Sequence, residues 1–389
     1  MKRALVSGGG IAGLTSAYWL RKFGWEVTIV EKAPRLRTEG YMIYFFGNGW
    51  RVAEKMGLIN EISNIKYPIE NLQYVNAQGK PYFTVPIKRL KKAFEGKFIY
   101  LLRSDLERVL SQAAIESGAE VRYGTEIKEL HEKTQSVEAE FDDGTTREFD
   151  IVVGADGVHS KVRTIVFGDR EKFDHHLGYV ASAFHVPKRR EVEHSYKLYQ
   201  EPNRTAGFYP VSEDVMDAVF MFDYRNCKNT SFGEKKKVLL DVYKDSGWIV
   251  KEVLENTPEE KISFFDNIQQ IRMPKWSKGR VVLVGDACGC LTLISGQGAS
   301  MAMLEAYVLA QELSKHGLDH QGAFSAYESF LKSDIEKRQL QAESFAGIFV
   351  PSTRLNLLFT RWRMRLVFSR VLINHTAKML TGKLLINER

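Results

Sequence analysis

The sequence has little cysteine, with three residues among 389, and no apolar run near the roughly 18 residues that a membrane span requires. Three cysteines are too few for a disulfide framework, and their number is odd. A strand-like run already begins at Ala4, so we expect no signal peptide. We therefore expect a cytoplasmic location.

Paired metal ligands are also scarce. Cys288 and Cys290 do not have the Cys-x-x-Cys spacing of a zinc pair, and the sequence has no second pair. His175 and His176 have no partner at ligand spacing. The sequence therefore predicts no metal site, and we interpret Cys288 and Cys290 as small apolar packing residues.

Basic residues are not spread over the chain. The net charge is 55 − 48 = +7. From Pro351 to the end there are eight basic residues and one acid, Glu388, so this segment alone carries 8 − 1 = +7. The preceding residues are near neutral overall, and we expect no nucleic-acid partner. The basic residues of the segment are Arg354, Arg361, Arg363, Arg365, Arg370, Lys378, Lys383 and Arg389.

Length and composition indicate an ordinary globular protein. A chain of 389 residues exceeds what one core usually organises, so we expect two or three subdomains. Hydrophobic residues make up 44% and charged residues 26%, which excludes a disordered chain and a coiled coil.

The amino-terminal segment has the pattern of a strand, a helix and a second strand. Residues 4–7 form a short apolar run, and residues 27–30 form a β-branched one. Between them, apolar residues from Leu14 to Phe23 fall on helical spacing, and Gly24 ends the helix. This order implies a parallel sheet.

Later segments have the pattern of antiparallel strands followed by helices. Runs of alternating or aromatic-rich residues predict strands at 71–75, 82–85, 126–132, 136–141, 148–153, 179–186, 195–199, 206–209 and 218–224. A buried strand is predicted at 281–284 and a helix from Gly298 to about Lys315. The remainder is predicted to be largely helical, with an interruption at Pro351.

The loop after the first strand reads Gly8-x-Gly10-x-x-Gly13. Its glycines permit a tight turn, close approach of a pyrophosphate, and tight packing of the following helix. Glu31 lies 18 residues beyond Gly13, where an acid accepts hydrogen bonds from ribose hydroxyls. The motif alone is weak, but its place between two strands predicts a dinucleotide. The alternative is a glycine-rich helix cap in an ordinary α/β fold.

Three further segments decide between dinucleotides, because FAD and NAD share the glycine pattern. They are residues 154–163 (GADGVHSKVR), residues 279–287, which end in Gly-Asp-Ala and continue to Ser295–Gly298, and residues 102–106 (LRSDL). In these segments the chain resembles the class A flavoprotein monooxygenases, which are p-hydroxybenzoate hydroxylase-like enzymes. With the glycine loop, these are four motifs in the family's order across about residues 1–310.

The resemblance implies roles for individual residues. Arg103 would neutralise the FAD pyrophosphate or bind the ribityl chain, and Asp286 would accept hydrogen bonds from ribityl hydroxyls. Backbone N–H groups near Gln297 would face the flavin pyrimidine edge. Asp156 and Gly157 would form a turn shared by FAD and the nicotinamide donor. The expected cofactor-binding residues are Gly8, Gly10, Ile11, Ala12, Gly13, Glu31, Lys32, Arg103, Asp156, Gly157, Asp286, Gly296, Gln297 and Gly298.

The chain also departs from the family pattern. Many members continue the Gly-Asp-Ala motif with Ala-His and have a proline a few residues later. Here Cys288 and Gly289 stand in place of Ala-His, and Leu293 lies near the proline position. Ser300 stands where asparagine is frequent. We expect FAD binding to survive these changes, with a different wall beside the flavin.

The resemblance implies an α/β fold with a Rossmann-like FAD-binding domain, an inserted substrate domain on a mostly antiparallel sheet, and a C-terminal helical extension. We assign 1–70, 96–168 and 270–330 to the first, 71–95 and 169–269 to the second, and 331–389 to the third. Tyr44, Phe208, Phe220 and Phe222 are candidate substrate contacts, although aromatics at alternating spacing are more often sheet core. Further aromatic candidates are Tyr41, Phe45, Phe46, Tyr209 and Tyr224.

The activity implied is FAD-dependent monooxygenation. NADPH or NADH would reduce FAD, and a flavin C4a-hydroperoxide formed with O2 would oxygenate a small polycyclic phenolic or enolic substrate. The C-terminal helix and the Ser-Gly-Gln-Gly loop resemble the tetracycline-inactivating branch. A flavin dehydrogenase or reductase, and a non-catalytic FAD-binding protein whose basic tail binds a membrane or partner, are the alternatives. No general acid or base can be nominated from the sequence.

The C-terminal tail contains an apolar helical stripe. Its members are Leu355, Leu358, Phe359, Trp362, Leu366 and Ser369. The stripe could dock against the flavin and substrate domains and close the cleft, lie on a membrane surface, or form a dimer contact. We favour docking, and expect a monomer or homodimer.

Overall fold

The computed structural model describes residues 2–38, 40–65, 67, 69–225, 234–292, 295–369, 372–381 and 384–388. Cys227 and Leu293 lie outside these residues. The strands are β1 (Arg3–Ser7), β2 (Glu26–Glu31), β3 (Met42–Phe46), β4 (Asn71–Val75), β5 (Pro81–Pro86), β6 (Phe98–Leu102), β7 (Glu120–Tyr123), β8 (Ile127–Glu132), β9 (Val137–Phe141), β10 (Thr146–Phe149), β11 (Ile151–Gly154), β12 (Asp174–Pro187), β13 (Ser195–Glu201), β14 (Arg204–Pro210), β15 (Val215–Asp223), β16 (Phe264–Ile271), β17 (Ser277–Lys278) and β18 (Val281–Leu283).

The helices follow the same chain order. They are α1 (Ile11–Lys22), α2 (Asn48–Met56), α3 (Ile59–Asn64), α4 (Ile87–Ala93), α5 (Arg103–Glu116), α6 (Lys161–Phe167), α7 (Lys235–Val242), α8 (Val250–Asn256), α9 (Asp286–Gly289), α10 (Gly298–His316), α11 (His320–Phe349), α12 (Arg354–Val367) and α13 (Ile373–Thr381). None of the described helices is long and apolar enough to cross a membrane.

A six-stranded sheet carries the glycine loop. Its order is β17-β18-β11-β1-β2-β7, and β1 pairs in parallel with both β2 and β11. The predicted parallel βαβ start is therefore confirmed. Helix α1 packs against both α5 and α10 beside this sheet, with Leu14, Leu110 and Leu309 fully or almost fully buried. Because β1, β2 and β11 are parallel, their carboxyl ends lie at the same edge of the sheet, and the loops that follow them meet there.

A seven-stranded sheet forms the second layer. Its order is β16-β12-β15-β14-β13-β4-β5, and all neighbours are antiparallel except β13 and β4. The two sheets and the C-terminal helices confirm the expected α/β class with a mostly antiparallel second sheet. Helices α7 and α8 pack on one face of this sheet through Val238, Val250 and Leu254, and the other face turns toward the glycine loop.

One predicted strand was wrong in its extent. The run 148–153 divides between β10, which pairs antiparallel with β9, and β11, which lies parallel beside β1. Asp150 separates them, and its carboxylate accepts a hydrogen bond from the Arg3 backbone N–H at 2.6 Å. The chain passes between sheets at this residue, because residues 151–153 are continuously buried whereas residues 146–148 are exposed.

The interruption at Pro351 is confirmed. The tail helix is docked on the protein, as favoured, but the expectation that the apolar stripe is the docked face was wrong. Helix α12 rests on β13 of the seven-stranded sheet, and its Leu357 and Thr360 are 8% and 5% exposed. The stripe faces solvent instead, with Leu355 78% and Trp362 57% exposed. Apolar residues three and four positions apart form one stripe on a helix whether that stripe is buried or exposed. The sequence pattern alone therefore did not decide which face of α12 is covered.

Candidate active site

The glycine loop is held tightly against the motif that follows β11. Gly8 has φ +108°, and a Cβ there would lie 2.5 Å from the Ala155 carbonyl oxygen. A Cβ on Gly13 would lie 1.9 Å from the Gly8 carbonyl oxygen. Neither position can hold another residue without moving backbone. Gly10 caps α1 with no side-chain hydrogen bond, so the N–H groups of Ile11 and Ala12 remain available to an anion.

Glu31 ends β2 beside this loop. Its carboxylate accepts hydrogen bonds from the Gly9 N–H at 2.7 Å and the Ala33 N–H at 2.9 Å. These bonds fix the carboxylate next to the helix N-terminus, and each oxygen keeps a further lone pair for a ribose hydroxyl. Lys32 is exposed and lines neither of the two cavities described below.

Arg103 begins α5, as the resemblance implies. Its Nε donates to the Glu107 carboxylate at 2.9 Å, and its guanidinium lies near the Tyr41 hydroxyl. Burial raises the pKa of Tyr41, while Arg103 opposes that shift. The cation therefore stands at the cavity wall, flanked by a carboxylate on one side and a phenol on the other.

One cavity lies between the motif residues and the seven-stranded sheet. Its lining is mainly apolar and aromatic, with Arg103 and Asp286 as the charged members. The motif side contributes Gly10, Ile11, Ala12, Arg103, Gly157, Asp286, Gly296 and Gly298. The sheet side contributes Ser182, Ala183, Tyr196, Leu198, Thr205, Gly207, Tyr209, Val219, Met221 and Phe264. The structure thus brings together residues that lie almost 300 positions apart.

Asp156 and Gly157 occupy different surroundings. The Asp156 carboxylate accepts from the Ser160 hydroxyl at 2.5 Å and from the Lys161 and Val162 N–H groups at 2.8 and 3.0 Å. It therefore caps α6, and burial raises its pKa against these bonds. Gly157 faces the cavity with φ +81° and open space where a Cβ would stand.

The start of α10 closes another side of the cavity. Gly296 has φ +61°, and a Cβ there would lie 2.9 Å from the Tyr44 ring. Gln297 is the N-cap residue, and its side-chain oxygen accepts a hydrogen bond from Arg338 on α11. Gly298 has open space around its Cβ position. The free N–H groups of a 19-residue helix therefore face the cavity.

Of the four predicted substrate contacts, only Tyr44 lines the cavity. Phe208, Phe220 and Phe222 are at most 1% exposed and pack beneath α7 and α8. This correction follows from the period of two in a strand: Gly207 and Tyr209 face the cavity, so Phe208 faces away. Of the further aromatic candidates, Tyr41 and Tyr209 line the cavity, whereas Phe45, Phe46 and Tyr224 do not. The aromatic residues of the wall that the sequence did not predict are Tyr196, Phe264 and Phe349.

A row of polar side chains crosses three strands of the sheet. The register places His185 of β12 opposite Asp217 of β15, and Asp217 opposite Tyr209 of β14. Asp217 is 1% exposed, its carboxylate hydrogen-bonds His185 Nδ1, and the Tyr209 hydroxyl lies close to it. Burial, reinforced by Asp217, raises the pKa of Tyr209 well above its ordinary value. The Tyr209 oxygen also accepts from the Met42 N–H at 2.7 Å.

A second, more polar cleft adjoins the first. Both are bounded by Tyr41, Arg103, Ala183 and Phe264. The second cleft also contains His185 and Asp217. The polar row therefore leads from Tyr209 in the apolar cavity to His185 in the second cleft, and His185 is about one-third exposed.

The two cysteines of the Gly-Asp-Ala segment are buried. Cys288 is 1% and Cys290 7% exposed, and both are free thiols. Burial raises the pKa of both thiols well above the ordinary value. Cys290 reaches the cavity wall, whereas Cys288 lies beneath it against Glu305 of α10. These surroundings suit packing and keep the thiols protonated.

The arrangement fits FAD. A helix N-terminus and a cation could hold the pyrophosphate, a carboxylate could accept from the adenosine ribose, and Asp286 could accept from hydroxyl groups along a linking chain. Gly157 and Gly298 leave room beside the apolar cavity for a planar ring. Each requirement of the group thus has a matching side chain or backbone segment.

Comparisons with known proteins point to one family. The family model of the FAD binding domain matches residues 2–331. An uncharacterised protein of Mycobacterium tuberculosis is 34% identical over 87% of this chain and 92% of that protein. A flavin-dependent monooxygenase of Legionella longbeachae is 30% identical over 87% of each chain. The crystal structure of the tetracycline destructase Tet(55) is 28% identical, with a TM-score of 0.84 over 98% of this chain and 97% of that one.

Proposed function

Because the chain belongs to the FAD binding domain family and is an FAD-dependent enzyme of the monooxygenase type, we propose that it uses NADPH or NADH and O2 to oxygenate a polycyclic phenolic or enolic compound. The observation that carries this proposal is the single cavity walled on one side by the cofactor motifs and on the other by Tyr196, Tyr209 and Met221. A substrate held there would lie directly beside the flavin ring.

The cofactor, when bound, supplies the redox chemistry that activates O2 with electrons from the nicotinamide donor. The chain supplies position and surroundings. Arg103 and the α1 N-terminus hold the pyrophosphate, and the α10 N-terminus offers N–H groups to negative charge on the ring. The apolar wall excludes water, which would otherwise favour side reactions over oxygen transfer to the substrate.

The polar row supplies proton transfer. A phenol or enol is more reactive toward an electrophilic oxygen when its hydroxyl is deprotonated. Tyr209 stands at the cavity wall, and Asp217 behind it accepts a proton that His185 passes to the second cleft. Tyr209 relays the proton without remaining ionised, because its buried hydroxyl stays protonated.

Tetracycline is the substrate that we propose to test first. Its fused rings carry phenol and enol groups, which match a cavity with an aromatic wall and few charges. The likeness to Tet(55) at 28% identity over nearly the whole of both chains supports the choice. A cytoplasmic location and a monomer or homodimer stay predictions.

The test is incubation of the yellow holoenzyme with NADPH, air and tetracycline, followed by mass spectrometry. A product heavier by one oxygen atom, formed only with FAD and NADPH, would support both the activity and the substrate. An Arg103→Ala variant reconstituted with excess FAD serves as the matched control, and should form product much more slowly.

Two alternatives give different results in the same assay. A dehydrogenase or reductase would oxidise or reduce substrate without consuming O2. A non-catalytic flavoprotein would bind FAD but show no substrate-stimulated NADPH oxidation. Activity with other phenols but not with tetracycline would support the proposed monooxygenase reaction and contradict tetracycline as the substrate.

A further inference from the structure

Helix α12 presents large apolar side chains to solvent. Five of them are more than 40% exposed: Leu355 at 78%, Leu358 at 59%, Phe359 at 57%, Trp362 at 57% and Leu366 at 41%. We call these five residues the α12 stripe. Scattered exposed apolar residues are normal on a soluble protein, but a contiguous stripe that includes Trp and Phe marks an interaction surface.

The α12 stripe is narrow and is flanked by arginines. With about 100° of rotation per residue, its five members fall within an arc of about 100°. On the same wheel Arg354 and Arg365 follow one edge of the stripe, and Arg363 follows the other. The Arg363 guanidinium lies 5.9 Å from the centroid of the Phe359 ring. Helix α12 contains no acidic residue.

The opposite face of α12 is fixed to the protein. Leu357 and Thr360 are buried, and the Arg361 guanidinium lies 4.3 Å from the centroid of the Tyr82 ring on β5. Arg365 donates to the Tyr82 carbonyl at 3.2 Å. Because these contacts already seat the helix, covering the α12 stripe requires another molecule rather than a different docking of the tail.

We propose that the α12 stripe binds the surface of an anionic lipid bilayer. Trp362, Phe359 and the leucines would enter the interface, while Arg354 and Arg363 meet lipid phosphates at its edges. The segment from Pro351 carries all of the net charge, +7, as counted above. Anionic lipid complements that charge, whereas a second copy of this chain would bring an equal positive charge against it.

The site of this contact is separate from the reaction. Neither cavity is lined by a residue of α12, so the stripe is not a wall of the cleft. Binding to a bilayer therefore does not require catalytic turnover. A test of bilayer binding is independent of whether the proposed substrate is correct.

Flotation of the FAD-loaded full chain with vesicles tests the proposal, with flavin absorbance as the readout. Vesicles of phosphatidylcholine with about one-third phosphatidylglycerol should carry the protein upward, and pure phosphatidylcholine should not. Raising the salt to about 0.5 M should weaken binding, because exposed charges are screened. Absence of binding to the anionic vesicles at low salt would overturn the proposal.

Two double variants probe the two halves of the surface. Leu358→Ser with Trp362→Ser removes apolar contacts, and Arg354→Gln with Arg363→Gln removes charge. The arginine variant should lower the vesicle partition coefficient about tenfold or more, at roughly 1 kcal/mol per basic residue near the surface. The apolar variant should lower it at least as much, because it removes two side chains whose apolar area enters the interface. Retained FAD and an unchanged Tm would show that each variant folds.

Matched controls lie elsewhere on the surface. Leu318→Ser with Leu340→Ser removes two leucines that are 87% and 61% exposed. Arg190→Gln with Lys275→Gln removes two exposed cations. Both should bind vesicles like the wild type, and equal losses in them would reject a dedicated surface. If light scattering shows that the wild type is a dimer and that Trp362→Ser is a monomer, the α12 stripe binds a second copy of the chain, and the bilayer proposal is wrong.

Discussion

The guanidinium of Arg163, completely buried, donates a hydrogen bond to the carbonyl oxygen of Ala287 at 2.9 Å. The two residues belong to motifs 124 positions apart in the chain. The same guanidinium donates to the Val158 carbonyl at 2.7 Å and faces Asp174 at 3.5 Å. Arg163 thus holds the Gly157 turn and the Gly-Asp-Ala segment in a fixed relation at the cavity.

Arg163→Met should therefore destabilise the protein and weaken FAD binding together. The change leaves Asp174 and two carbonyls buried without this donor, which should lower the free energy of unfolding by about 3 kcal/mol. Urea unfolding of the holoenzyme and FAD titration measure the two effects. Arg170→Met is the matched control, because Arg170 also pairs with Asp174 but its side chain is 46% exposed. It should cost less than about 1 kcal/mol, and equal losses would contradict the assigned role.

Glu31→Ala should raise the dissociation constant for FAD by about tenfold or more. The change removes both the acceptor for ribose hydroxyls and the bonds from Gly9 and Ala33 that order the loop. Flavin fluorescence titration of the apoprotein measures the affinity. Lys32→Ala, at the exposed neighbouring position, should leave FAD affinity near wild type, although the sequence pattern placed Lys32 among the cofactor contacts.

Glu305 should make stability fall as pH rises. It is 1% exposed, and burial raises its pKa from 4.5 to about 8. Between these two values the folded protein keeps a proton that the unfolded chain releases, so stability is lost as pH increases through the window. The loss from this group should reach at most about 4 kcal/mol by pH 8.

Urea unfolding of Glu305→Gln at pH 5, 6.5 and 8 checks this linkage. Glutamine resembles the protonated acid and can still accept from the Gly285 N–H, which Glu305 contacts at 2.7 Å. The variant should lose most of the pH dependence, and its advantage over wild type should grow with pH. Exposed Glu336→Gln should keep the wild-type slope, and parallel slopes for all three proteins would refute the assignment.

The two faces of β15 should give opposite mutational results. Val219→Phe narrows the cavity and should raise KM several-fold for the substrate that the assay identifies, with little change in Tm. Phe220→Leu removes buried volume beneath α7 and should lower the free energy of unfolding by about 1–2 kcal/mol, with KM unchanged. Steady-state kinetics and thermal unfolding of both variants separate the faces, and a shared pattern would contradict the register.

Tyr209→Phe should lower kcat at least tenfold with a smaller effect on KM, because it removes the hydroxyl that links the cavity to Asp217. Asp217→Asn should lower kcat similarly, and the loss should shrink at high pH, where more of a phenolic substrate is already ionised. Tyr100→Phe is the control, since Tyr100 is buried outside the cavity lining. A loss of kcat independent of pH would indicate a structural role.

The sequence by itself determined the cofactor side of the molecule. Gly8, Gly13 and Gly157 must be glycine because of positive φ or close backbone approach, and such demands leave a pattern at fixed spacing. Glu31 ends strand β2 and Arg103 directly follows strand β6, so local order along the chain already fixes their place. Binding sites that are built from backbone groups at fixed spacing can therefore be predicted from the sequence without a structure.

The tertiary structure alone decided the substrate side and the tail. Whether Phe208 or Tyr209 faces the cavity depends on which face of the sheet α7 and α8 cover, and one residue of register reverses the answer. The row from His185 to Tyr209 exists only because three strands pair in one register. The α12 stripe has the amphipathic pattern of a docked helix, but Arg361 and Leu357 seat the helix by its other face. Long-range pairing and packing fix these outcomes, and neither leaves a local signal in the chain.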